Sequence, residues 1–191
     1  MTGLISVAHF ILSLFFSTVI FLLWARIALR YFKVSSLHPF SLSIHACLDP
    51  FIMPLAMLLK MDKHPLARFD WLSFDLLIVL ELIKFIVFGW LMYGSLIPIS
   101  SLSLYTLADL VMQPCNLLFY AILIRVVASW INPHLRHPIL DLVTLVTNPL
   151  LRYCQHRMLM VSGVDLSPLI AVALLKIIML FISASLPVQL L

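Results

Sequence analysis

Charge is what this chain has least of. Only 10% of its 191 residues are Asp, Glu, Lys or Arg, against about 25% in soluble globular domains. Apolar residues make up 63% and the mean hydropathy is +1.14. A soluble globular fold is excluded. The net charge is +4, with no Lys/Arg cluster interleaved with aromatics, so no nucleic-acid partner is expected. Cysteine is scarce too. Cys47, Cys115 and Cys154 are odd in number and form no CxxC, which argues against a disulfide framework or a zinc site and for buried or interfacial thiols. Ser/His/Asp, P-loop, HExxH and GxGxxG arrangements are all missing. No enzyme, cofactor or metal is therefore expected. The first apolar run lacks a basic leader and an A-x-A site and is too long for a signal core, so it reads as a membrane span of the mature chain.

Long apolar runs are present instead. Four are long enough for a hydrocarbon core of ~30 Å: Leu4 to about Tyr31, Trp71 to about Pro98, Leu104 to Trp130, and Leu166 to about Leu190. Ser100 to Ser103 reads as a short turn, and Pro114 as a kink in the third span. Between the spans lie two more polar connectors, Phe32–Asp70 and Ile131–Asp165. Pro39 and Pro138 can each open a short helix. Asp49-Pro50 and Asn148-Pro149 read as an N-cap followed by a proline at the first helical position of another. Apolar Phe40, Ile44, Leu48, Phe51, Leu55, Leu58 and Leu59 alternate there with Ser41, Ser43, His45 and Asp49. Such helices are too short and too polar to span, and they are expected along the membrane surface. Asp70 and Asp165 then cap the return spans.

The two connectors are copies. Arg26, Tyr31, His38-Pro39 and Asp49-Pro50 recur as Arg125, Trp130, His137-Pro138 and Asn148-Pro149, each 99 residues on. Asp70 and Asp165 are 95 apart, so the first copy carries about four extra residues near Met61–Pro65. A constant offset marks an internal repeat, with boundaries at 1–98 and 99–191. Ten of the 12 basic residues flank the connectors, and residues 1–8, 92–108 and 185–191 have none. The positive-inside rule puts both connectors in the cytoplasm and both termini outside. Each repeat contains two spans, so the halves share one orientation about an axis along the membrane normal.

The spans themselves hold few charges. Glu81 and Lys176 each stand 11 residues beyond their cap, Asp70 or Asp165, about 16 Å into the bilayer at ~1.5 Å per residue. An unpaired charge at that depth costs at least ~2.5–3.5 kcal/mol, so the two are expected to pair. Lys84, one turn on, competes for the Glu81 carboxylate. A structural lock between spans is the favoured reading; a polar or proton pathway through Glu81, Lys84 and Lys176 is the alternative. Asp75 complements the helix dipole, and Asp109 is expected to reach the interface. Arg26 and Arg125 snorkel to lipid phosphate, or else clamp their own repeat through the surface helix or through Asp70 and Asp165. His38 and His137 precede a proline at a helix start, where accepting a cap hydrogen bond explains them better than metal or haem ligation does. Met53, Met57 and Met61 fill gaps on an apolar face.

These paired motifs resemble the YggT (YlmG) family of integral membrane proteins. The resemblance rests on the arginine-anchored span, the His38-Pro39-Phe40 and His137-Pro138-Ile139 starts, the Asp49-Pro50-Phe51 and Asn148-Pro149-Leu150 helices, and the Asp70-Trp71-Leu72-Ser73 and Asp165-Leu166-Ser167-Pro168 returns. It covers roughly Leu22–Val87 and Phe119–Ile182, and the two-copy length is similar to proteobacterial members. Departures are His38 where asparagine is common, Tyr153-Cys154 in place of a second proline, and Lys60–Ala67 where a shorter glycine turn is usual. The resemblance implies a bacterial inner membrane or thylakoid-related location. It also implies roles in envelope or division organisation, osmotic tolerance or, in plastid relatives, maturation of a membrane cytochrome, with no reaction assigned.

The expectation is an all-α membrane protein with four transmembrane helices in two tandem repeats, each with short interfacial amphipathic helices in its cytoplasmic connector. It is a non-enzymatic membrane organiser or assembly factor that meets the anionic cytoplasmic leaflet and a membrane-protein partner or a second copy of itself. An ion or small-solute transport component is the alternative.

Overall fold

A computed structural model of the chain describes residues 2–34, 38–59, 70–94, 98–132, 137–157 and 167–186. Every regular element among them is a helix: α1 Thr2–Tyr31, α2 Pro39–Leu59, α3 Trp71–Tyr93, α4 Ile99–Ile131, α5 Pro138–Arg157 and α6 Ser167–Ala184. Three stretches, Gly3–Tyr31, Ile99–Ile131 and Ser167–Ala184, are long and apolar enough to cross a membrane. The 23-residue α3 is equally apolar over most of its length but carries Asp75, Glu81 and Lys84.

Helix ends follow from local chemistry. α1 closes on Lys33, which takes the left-handed conformation at φ 55°. Val34 N–H donates to Leu29 O and Lys33 N–H to Arg30 O, each at 3.0 Å; together they use up two carbonyls that would otherwise lack partners. α3 ends on Gly94 at φ 63°, whose N–H donates to Trp90 O. A residue without Cβ adopts that angle at no steric cost.

Three expectations are corrected. Ser100 to Ser103 is not a turn, because α4 already starts at Ile99. Leu102 N–H bonds Pro98 O, and Ser103 Oγ donates to Ser100 O at 2.9 Å, so Ser103 satisfies its hydroxyl within the helix. Among the described residues each connector contains one helix rather than two, since α2 runs through Pro50 and α5 through Pro149. It follows that Asp49 and Asn148 are not N-caps; they lie inside continuous helices. Each proline forfeits one backbone hydrogen bond. The helix persists because a stripe on either side of the proline is buried: Ser41, Ile44, Leu48 and Ile52 on α2, and Leu142, Thr147, Leu151 and Cys154 on α5.

The chain forms two compact units, which part at Gln113–Pro114 within α4. The first turns of α4 belong with α3, through the stacking of Tyr105 on Phe85 and the contact of Asp109 with Lys84. In the first unit α1, α2 and α3 pack together. Phe16, Ile20 and Phe88 form its buried centre, with Leu12, Trp24 and Val87 around them. Phe16 and Phe88 meet edge to face at 6.1 Å. In the second unit Ile122, Leu151, Cys154, Ala171 and Leu175 join α4, α5 and α6. One face of α6 is buried through Ser167, Ala171, Leu175 and Met179, while Leu169, Ile177, Leu180 and Phe181 are exposed. The outer half of α1 likewise exposes Leu4, Val7, Phe10, Ile11 and Leu14. Patches this large and apolar need a covering other than water.

If Pro50 is interior to α2, Pro50→Ala restores a backbone donor aimed at the Ala46 carbonyl. The substitution is expected to stabilise the protein by about 1 kcal/mol. Reversible unfolding in mild detergent measures it. A neutral or destabilising result returns Asp49-Pro50 to a helix start.

Candidate functional site

Arg26, near the end of α1, is the hub of the first unit. Its Nη1 donates to Asp49 Oδ1 on α2 at 2.8 Å, and its Nε donates to Asp70 Oδ2 at the head of α3 at 3.2 Å. Arg30, one turn on, reaches Asp70 Oδ1 at 3.1 Å. Asp70 also caps α3, accepting the Ser73 N–H at 3.4 Å. One guanidinium therefore ties three helices at the same end of the unit. Its planar fork suits two carboxylates at once, which a lysine ammonium would not do. Asp70 is 3% exposed. Burial pushes its carboxyl up, but the Ser73 hydrogen bond and the guanidinium groups of Arg30 and Arg26 outweigh burial and hold it below the usual 3.8. His45 Nδ1 lies 3.9 Å from Asp49. Burial and then Arg26 keep that imidazole below 6.5, so it is neutral at pH 7 and adds no ion pair.

Arg125 does the corresponding work in the second unit. Its Nη1 donates to Thr147 Oγ1 at 3.0 Å and to Asn148 Oδ1 at 2.9 Å. Thr147 is fully buried and passes its own proton back to Val143 O at 2.8 Å. Asp49 and Asn148, read as caps from the sequence, are thus the arginine's acceptors. A guanidinium that must leave water takes the nearest oxygens, and a charged donor outbids a backbone N–H. Asp165, the counterpart of Asp70, lies outside the described residues, as do Lys60, Lys63, Arg68 and Arg136.

The two histidines behave alike. Phe40 N–H donates to His38 Nδ1 at 3.3 Å and Ile139 N–H to His137 Nδ1 at 3.2 Å. Each imidazole caps the helix that its proline opens.

Of the charges within the apolar helices, Lys84 meets Glu81 one turn away, and Asp109 joins them. Glu81 is fully buried, and its Oε2 accepts from Lys84 Nζ at 3.4 Å. Lys84 also donates to Asp109 Oδ2 on α4. Asp109 is 2% exposed and does not reach an interface; its Oδ1 accepts from Gln113 Nε2 at 3.3 Å. Phe85 and Tyr105 stack beside this cluster, with ring centroids 5.6 Å apart. Lys176 is in the other unit, with Nζ 5.8 Å from the Phe119 ring centroid. Sequence reasoning missed Asp109, though a signal was there. Lys84 stands 13 residues before position 97 and Asp109 12 after it, so in an antiparallel hairpin turning there the two charges fall at one depth. Among the described residues no group of three or more His, Cys, Asp and Glu side chains is placed to hold a metal ion.

The second unit also carries the relationship to known proteins. The family model for CCB3/YggT matches residues 104–186. Over that stretch, somewhat less than half of its length, the chain is similar to the CCB3/YggT family. That match takes in nearly all of α4, with α5 and α6, and with them Arg125, Thr147, Asn148 and His137. No curated protein and no solved structure matches the chain. The similarity over residues 104–186 and the three helices long and apolar enough to cross a membrane both point to a membrane protein.

The two arginines differ in what they leave behind when removed. Arg26→Met strands two carboxylates and is expected to cost about 3 kcal/mol. Arg125→Met strands only a hydroxyl and an amide, at about 1–2 kcal/mol. Unfolding of both variants in the same detergent tests the order. The pH dependence follows from Asp70. Its folded carboxyl is held below 3.8, so the contribution is fully present above that value and is lost as pH falls through the lower folded value. The stability gap between wild type and Asp70→Asn should therefore stay constant from neutral pH to about pH 5 and close only below pH ~4.

Proposed function

We propose that the protein is a non-enzymatic organiser or assembly factor of the bacterial inner membrane. It has four spans, α1, α3, α4 and α6, in two tandem repeats that share one orientation. Both connectors face the cytoplasm, both termini face the periplasm, and α2 and α5 lie along the anionic cytoplasmic leaflet. The observation that carries this reading is the arginine clamp. At positions 99 residues apart, Arg26 holds Asp49 and Arg125 holds Asn148, so each surface helix is fixed to its own span rather than tethered loosely. A fixed helix presents a defined face: Leu42, Phe51, Met53 and Met57 on α2, and Ile139, Leu145 and Tyr153 on α5, are exposed. Such a face suits a partner membrane protein or a second copy of the chain. The family's links to envelope and division organisation and to osmotic tolerance fit that role.

A second reading has one observation in its favour. The buried Glu81, Lys84 and Asp109 are the kind of intramembrane ionisable group that lines ion pathways, and Lys176 is a further ionisable group within an apolar helix of the second unit. The two readings differ in solvent access and in transport. Photo-crosslinkers at Phe51, Met57 and Tyr153, in native membranes, should give discrete protein adducts that disappear in Arg26→Met and Arg125→Met while the variants stay in the membrane. Glu81→Cys and Lys176→Cys should resist a water-borne thiol reagent. Labelling of both positions, together with solute flux in proteoliposomes of the chain alone, would overturn the organiser reading.

A further inference from the structure

The buried cluster between α3 and α4 has an odd charge count. Glu81, Lys84 and Asp109 are 0%, 5% and 2% exposed. Ionised, they sum to one net negative charge. Asp109 has both oxygens engaged, Oδ2 by Lys84 and Oδ1 by Gln113. Glu81 has only Oε2 engaged, and that contact is long at 3.4 Å. Its Oε1 is buried and makes no hydrogen bond among the described residues. Two other buried side-chain atoms, Trp24 Nε1 and Ser73 Oγ, lack partners there, but neither belongs to a charged group. The walls are closed to charge: Phe85 stacked on Tyr105 on one side, with the Thr106 hydroxyl committed to Leu102 O at 2.9 Å.

Other titratable groups on the helices packed against α3 stand well along its axis. His9 of α1 lies on Phe88, with ring centroids 4.5 Å apart and two turns past Glu81. Arg26 and Arg30 of α1, with Asp49 and His45 of α2, gather around Asp70, 11 residues before it. On α3 itself Asp75 is six residues away, and α4 brings Asp109 and the phenol of Tyr105, stacked on Phe85.

We propose that Glu81, Lys84 and Asp109 form a proton-binding site inside the bilayer. Glu81 Oε1 takes one hydrogen ion from water, the carboxylate becomes a carboxylic acid, and the cluster passes from one net negative charge to neutral. The physical ground is the cost of an uncompensated charge in hydrocarbon, at least ~2.5–3.5 kcal/mol. It also rests on the division of one ammonium between two carboxylates, which leaves one of them without a full counter-charge. The proton goes to Glu81 because its oxygen alone is free to carry it. The proposal depends on α3 crossing the membrane, as read above.

Glu81 is the chain's only glutamate, which permits a test without substitution. The full chain is made by cell-free synthesis with glutamate labelled with 13C at the side-chain carboxyl, and incorporated into anionic-lipid nanodiscs. Incorporation checks the membrane reading separately from the signal. The labelled carbon should report a protonated carboxyl at neutral pH, unchanged when Na+ replaces K+. Asp109→Asn, which leaves Glu81 and Lys84 as a balanced pair, should lose that proton. A carboxylate signal in wild type at neutral pH, or a signal that follows Na+ concentration, overturns the proposal. Were Asp109→Asn to misfold, the wild-type signal alone would decide.

Discussion

Arg26 has to leave water near the end of a long apolar helix, and nearly everything polar in the first unit is arranged around that fact. A guanidinium cannot be deprotonated, so it must be paired. Asp49 and Asp70 come from helices that follow α1 in sequence, and the pairing brings both to one place. The fork geometry fixes direction as well as distance. Burial of Ile44, Leu48 and Ile52 then adds area to a contact whose orientation is already set. In the second unit the same residue type meets an amide and a hydroxyl. The geometry is kept while the charge on the acceptor side is gone.

Much of this could be read from the residues. Apolar run length locates the helices because a membrane core has a fixed thickness. His38, His137 and Asp70 were legible as caps because a short polar side chain next to a helix start has few other uses. The offset of 99 residues matches the positions of Arg26 with Arg125 and Asp49 with Asn148, and the structure gives both pairs the same contact.

What was not legible depends on tertiary competition. Asp49-Pro50 has the local form of a helix start, and local rules alone assign it one. The deciding term is an arginine 23 residues earlier, which no window of a few residues contains. Ser100 to Ser103 looks like a turn because serine competes with the backbone for hydrogen bonds; here one hydroxyl satisfies the helix's own carbonyl instead. Asp109 was placed at an interface because its depth was counted from the start of its own span. Counted from position 97 in the sequence, it stands level with Lys84.

The levelling of Lys84 with Asp109 bears on how the chain reaches its membrane. A nascent helix bearing Glu81 and Lys84 gains little by partitioning into lipid alone, since each ionised group subtracts what several leucines contribute. Once α4 has been synthesised, Asp109 can meet Lys84, and the pair of helices is far less polar than α3 was by itself. On the proposed reading of α3 as a span, α3 and α4 are better regarded as one insertion unit than as two.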